Sequence, residues 1–143
     1  MMGGRKPRQS DLKRSLSTAY YAVFHAMCRN AADTLIGTKG SDRSNPAWLQ
    51  AYRSVAHATA RNCCKNQTKM KAFPKEIEDF GNLFVSLQVK RESADYDPSF
   101  RVTRSEVLTD IDLAEIAISS LKSDGMKDRR AFAAWITLVN RSG

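Results

Sequence analysis

Between Ser10 and Gly37 the chain carries two apolar stripes. Leu12, Leu16, Ala19, Val23, Ala26 and Asn30 recur at steps of four and three, and Tyr21, Phe24, Cys28, Ala31 and Leu35 run beside them. Such steps place residues on one face of a helix. Two adjacent stripes therefore demand a helix covered on two sides. It is either the central element of a bundle or one that also lies in a dimer interface. Ser10 is placed to cap its start and Gly37 to end it.

The rest of the chain reads as further helices. Gly37 to Asn45 is a loop by composition. Asn45-Pro46 opens a second helix, with Asn as cap, Pro in the first turn and Leu49, Tyr52, Ala56, Thr59 and Cys63 as its core stripe. Polar Lys65–Lys71 reads as a loop. Pro74 opens a third helix with Ile77, Phe80, Phe84 and Leu87 inward. Arg91 to Phe100 reads as a turn, because Asp97-Pro98 disfavours helix. Thr103-Arg104-Ser105-Glu106 is a capping box for a fourth helix bearing Val107, Ile111, Ala114, Ile118 and Leu121. Gly125 breaks that helix, and a last one carries Phe132, Trp135, Ile136 and Val139. No segment alternates with the period of a strand. The pattern predicts an all-α fold, a compact bundle of about five helices. Residues 1–9, basic and bearing Gly and Pro, read as a loose arm, and 10–143 as one domain. At 143 residues and 42% hydrophobic, the chain can bury a core without disulfide or metal staples.

Charge is distributed unevenly. Lys and Arg number 23 against 15 acids, a net +8. Arg43 to Lys75 holds seven basic residues and no acidic one, whereas Glu92 to Glu115 holds seven acids against Arg101 and Arg104. The two segments either pair with each other or leave a patch for a partner. Arg53, His57, Arg61 and Lys65 recur every four residues, forming a ridge on the second helix. Lys69, Lys71 and Lys75 extend it. The ridge is either the solvated face of an amphipathic helix or a track for RNA phosphates, with arginines making paired contacts and His57 stacking on a base.

Several classes are set aside. No apolar run approaches the ~18 residues that span a bilayer. The basic start has no apolar segment behind it, and three cysteines make no disulfide framework, so a cytoplasmic protein is expected. His25-x-x-Cys28 with Cys63-Cys64 is a poor zinc set, because adjacent residues on a helix point ~100° apart. No Glu-x-x-His pair or Gly-rich phosphate loop occurs. No metal or cofactor is expected.

Two motifs carry a resemblance. The run Asp11-Leu12-Lys13-Arg14-Ser15-Leu16-Ser17-Thr18-Ala19-Tyr20-Tyr21-Ala22-Val23-Phe24-His25-Ala26 resembles the opening helix of the HEPN superfamily, especially its small stand-alone bacterial members. Arg91-Glu92-Ser93-Ala94-Asp95-Tyr96-Asp97-Pro98 resembles the Arg-x-x-Ala-Asp-Tyr turn before the fourth helix of that branch. The resemblance covers roughly residues 10–122. It implies a helical bundle, usually a homodimer whose Arg motifs meet across the interface. It implies an RNA-associated protein of a toxin–antitoxin, defence or stress system, with a nucleotidyltransferase-like antitoxin as a candidate partner.

Active members of the superfamily are metal-independent endoribonucleases with four to six residues between the Arg and a His, a spacing that Arg53-Ser54-Val55-Ala56-His57 misses by one. There His handles a proton and Arg stabilises the phosphorane charge. Here Asp95 and Tyr96 follow Arg91, and the two histidines are His25 and His57. On this resemblance Arg91, Asp95 and Tyr96 are the candidate catalytic residues, with His57 or His25 assisting. Arg53, His57, Arg61, Lys65, Lys69 and Lys71 are the candidate RNA contacts. The alternative is a catalytically silent dimer that binds or regulates a partner protein, with Arg91–Asp95 a structural ion pair.

Overall fold

The computed structural model describes residues 8–138. Seven helices follow in order: α1 (Gln9–Leu35), α2 (Asn45–Arg53), α3 (His57–Lys65), α4 (Gln67–Met70), α5 (Lys75–Tyr96), α6 (Arg104–Ser123) and α7 (Met126–Thr137). Among the described residues there is no strand, and no helix is long and apolar enough to cross a membrane.

The double stripe finds its explanation within one chain. Helix α1 packs against α2, α5, α6 and α7 together, and Leu16, Tyr20, Val23, Met27 and Ala31 along it are fully buried. It is the central helix of the bundle. Gly37 ends it as expected, at a φ of 137° that only glycine adopts without strain. The backbone N–H groups of Ile36 and Gly37 both donate to Ala32 O. Its start differs from expectation. Gln9 is already helical, Arg8 is the cap residue, and Ser10 lies inside the helix. The Gln9 amide instead exchanges two hydrogen bonds with the Val102 backbone, tying α1 to the α5–α6 connection.

Two local events turn five expected helices into seven, and a third lengthens α5. The second helix breaks at Ser54–Ala56. The Ser54 hydroxyl bonds back to Ala51 O at 2.6 Å, and Ala56 is extended. Val55 is buried at this corner, and α3 restarts rotated. Ala60 and Cys64 face the core there, instead of the expected Thr59 and Cys63. The ridge from Arg53 to Lys65 is therefore not continuous, and Arg53 is left on α2. Ser44, not Asn45, caps α2.

The expected loop at Lys65–Lys71 contains α4, capped by the Asn66 side chain. Met70 is fully buried against α5, where a Cβ on Gly81 would lie 2.6 Å from Met70 Cε. Finally, α5 runs through the expected turn to Tyr96. Pro98 forces only its predecessor, Asp97, out of the helix (φ −115°, ψ 102°), so the Arg91–Tyr96 motif is helical.

The fourth expected helix is α6, opened by the capping box. Thr103 Oγ1 accepts from Glu106 N at 3.1 Å, and Glu106 accepts from Thr103 N at 3.3 Å. Thr103→Ala is expected to lower stability by about 1 kcal/mol in urea unfolding. Phe132 and Ile136 of α7 are buried as expected. Val139 and most of the expected arm lie outside the described residues.

Candidate functional site

Three helices bring aromatic and basic side chains to one place. Tyr20 and Tyr21 are neighbours on α1 and point ~100° apart. Tyr20 is therefore fully buried, while Tyr21 stays 37% exposed at the rim. The Tyr20 ring stacks on Phe84 of α5 at 5.5 Å. His57, the first residue of α3, lies flat on Phe24 at 3.8 Å between ring centroids. From α5, the Arg91 guanidinium sits over Tyr21 at 5.0 Å and Tyr20 at 5.4 Å, within range of a cation–π contact. His57 and Arg91 thus rest on the same pair of tyrosines.

These groups open onto a groove of 530 Å³, lined by Tyr21, His57, Arg61, Lys65, Arg91 and Glu92, with Gln88 beneath. Its charges are partly compensated. Arg61 pairs with Glu92 across α3 and α5 at 3.0 Å, and Arg91 Nε lies 3.4 Å from Asp95 on the same helix. The basic and acidic segments therefore meet through Arg61–Glu92. Behind the groove Lys90 pairs at 2.9 Å with Asp110, which is 5% exposed, clamping α5 to α6.

The proton chemistry centres on His57. Its Nδ1 lies 2.5 Å from Tyr20 Oη. Burial pushes the phenol up to about 12, so Tyr20 keeps its proton at neutral pH. A phenol can donate its O–H to Nδ1, or accept from Nδ1–H. The first leaves His57 an N–H donor at Nε2, and the second leaves Nε2 a base. Gln88 is 4% exposed beside Tyr20, and its Oε1 has no hydrogen-bond partner among the described residues.

Burial, the Arg91 guanidinium and His25 all hold His57 below the usual 6.5. The fold therefore favours the neutral ring. This contribution to stability is fully present above pH 6.5 and is lost as pH falls below it. In an NMR titration His57 should have a midpoint below 6.5, and Arg91→Ala should raise it. An unchanged midpoint in that variant would separate the two groups electrostatically.

The structure places the sequence candidates unevenly. Arg91, His57, Arg61 and Lys65 share the groove. Asp95 lies beside it, in its ion pair with Arg91. Tyr96 is 81% exposed at the end of α5 and does not line the groove. Arg53 borders a separate depression with Leu49 and Gln50. Lys69 turns toward Trp135, 5.6 Å from its ring, and Lys71 is exposed. His25 is exposed, with Nδ1 2.7 Å from Tyr52 Oη.

Sequence reasoning passed over Tyr20 as a partner of His57, and Gln88 entirely. Gln88 had a signal, since it stands four residues after Phe84 on an apolar stripe.

Cysteines take no part in this groove. Burial pushes the Cys28 and Cys64 thiols up to about 12, and Cys63 Sγ donates to Trp135 O. Among the described residues, no three His, Cys, Asp or Glu side chains gather to hold a metal ion. No protein-family model, curated protein or solved structure matches the chain.

Proposed function

We propose that the chain is an RNA-associated protein of HEPN type, acting as a metal-independent endoribonuclease through the His57–Arg91 groove. The observation that carries this reading is the meeting of His57 and Arg91 on the Tyr20–Tyr21 pair. The resemblance expects a His shortly after Arg91 in the same motif. Here a His arrives beside Arg91 from α3 instead. Arg91 binds the scissile phosphate and stabilises the charge that develops on it. With Tyr20 accepting from Nδ1–H, His57 Nε2 takes the 2′-hydroxyl proton as O2′ bonds to phosphorus; the P–O5′ bond breaks, leaving a 2′,3′-cyclic phosphate and a 5′-oxygen that takes its proton from water. Lys65 and Arg61 hold neighbouring phosphates. The homodimer and an antitoxin partner of nucleotidyltransferase type follow from the resemblance, and a cytoplasmic setting from the cysteine usage; all belong to the same proposal.

A second reading is a catalytically silent module that binds RNA or a partner protein. It is favoured by the two carboxylates, Glu92 and Asp95, which already occupy Arg61 and Arg91. Purified protein incubated with total RNA and tRNA in EDTA decides between them. Cleavage dependent on Arg91 supports the enzyme. Binding without cleavage, weakening steeply from low to moderate salt, supports the silent RNA module.

A further inference from the structure

A second concavity lies between α1, α6 and α7, with a volume of 210 Å³. Its floor is apolar, formed by Ala26, Ile118 and Leu121. Around it stand three cations from three helices: Arg29, Lys122 and Arg129. None of the three has an ion-pair partner among the described residues.

Arg129 is held in place. Asn30, 3% exposed, accepts from Arg129 Nε at 3.0 Å and donates to Arg129 O at 3.1 Å. A buried amide thus anchors the guanidinium at its Nε edge and leaves both terminal nitrogens without a partner among the described residues. Asp33 lines the pocket too, with its Oδ1 engaged elsewhere. It accepts from Trp48 Nε1 at 2.9 Å and lies 3.8 Å from Arg43.

We propose that this pocket binds a small phosphate monoester. Three lining cations against one carboxylate, already paired at Oδ1, suit a dianion. A fixed guanidinium matches the paired oxygens of a phosphoryl group. The apolar floor suits the short organic part of the ester. The volume sits below the roughly 300–1,000 Å³ of pockets for drug-sized ligands, which favours a compact ester. The same phosphoryl chemistry occurs on a free metabolite and at the 5′ end of a nucleic acid, and the pocket's size selects the free ester. This inference does not rest on the ribonuclease reading.

The test is an NMR titration of the full chain with glycerol 3-phosphate and, separately, with a 5′-phosphorylated dinucleotide. Glycerol 3-phosphate is expected to give saturable shifts at the amides of Asn30, Lys122 and Arg129. Arg129→Gln should weaken it about tenfold or more. Because Arg129 is tied to buried Asn30, Arg29→Gln and Lys122→Gln serve as variants at residues outside that clamp, and each should weaken binding too. Shifts that rise linearly without saturating would overturn the proposal. So would saturation unchanged in all three variants, or binding of the dinucleotide alone.

Discussion

Arg91→Ala is expected to lower RNA cleavage by about 10²–10³-fold, the usual loss when a donor to developing transition-state charge is removed. His57→Asn is expected to lower it by about 10²–10⁴-fold, the usual worth of general acid–base catalysis. Asn suits the test better than Ala. It places an amide near the position of Nδ1 and keeps a partner for the Tyr20 hydroxyl, which in His57→Ala would be buried unpaired at about 1–3 kcal/mol. The fold is thereby kept while the proton carrier is lost. Thermal unfolding of each variant supplies the control.

Neighbouring residues sharpen the result. Tyr96→Ala should leave cleavage unchanged, because Tyr96 is 81% exposed and outside the groove. Asp95→Asn releases Arg91 from its carboxylate and should tighten phosphate binding. Full cleavage in both His57→Asn and Arg91→Ala would end the enzymatic reading.

Helix existence was legible along most of the chain, because apolar spacing reports burial directly. Most of the α1 stripes, the Thr103–Glu106 box and the Gly37 stop correspond to observed features, while Tyr21 and Leu35 at the edge of the second stripe stay exposed. What stayed hidden were local contests between backbone and side chain. The Ser54 hydroxyl competes for the Ala51 carbonyl and interrupts a segment whose periodicity looks continuous. Met70 reads as one apolar residue in a polar stretch, yet it seats α4 against a gap at Gly81 on the next helix, where a missing side chain gives no apolar signal.

Helix α5 runs on past Arg91 to Tyr96 because proline restricts one residue, not six. For the site, sequence order was the obstacle. Spacing along α5 searches for a His after Arg91, whereas the fold delivers His57 from α3, over thirty residues upstream. Only the packing of Tyr20 between α1, α3 and α5 brings them together.

That packing yields the largest expected stability effect. Phe84 is fully buried, and its ring stacks on Tyr20 at 5.5 Å and on Phe24 at 6.2 Å. His57 lies against both of those rings, and Arg91 sits over Tyr20. Phe84→Ala should cost about 3–5 kcal/mol, the lost transfer energy plus a cavity the rigid helices close only in part. Against a total of about 5–15 kcal/mol, this removes a large share of stability. In urea the midpoint should fall with the slope unchanged. Ile77→Val is the control, since Ile77 is equally buried on α5 but lies outside the aromatic stack. It should cost only about 0.5–1.5 kcal/mol and leave RNA binding intact. In Phe84→Ala, by contrast, Tyr20 gains room to tilt. His57 should then lose its fixed partner, and its titration midpoint should rise toward 6.5 as water enters. A Phe84→Ala variant within 1 kcal/mol of the parent chain, with His57 titrating as before, would show that the groove is supported from elsewhere.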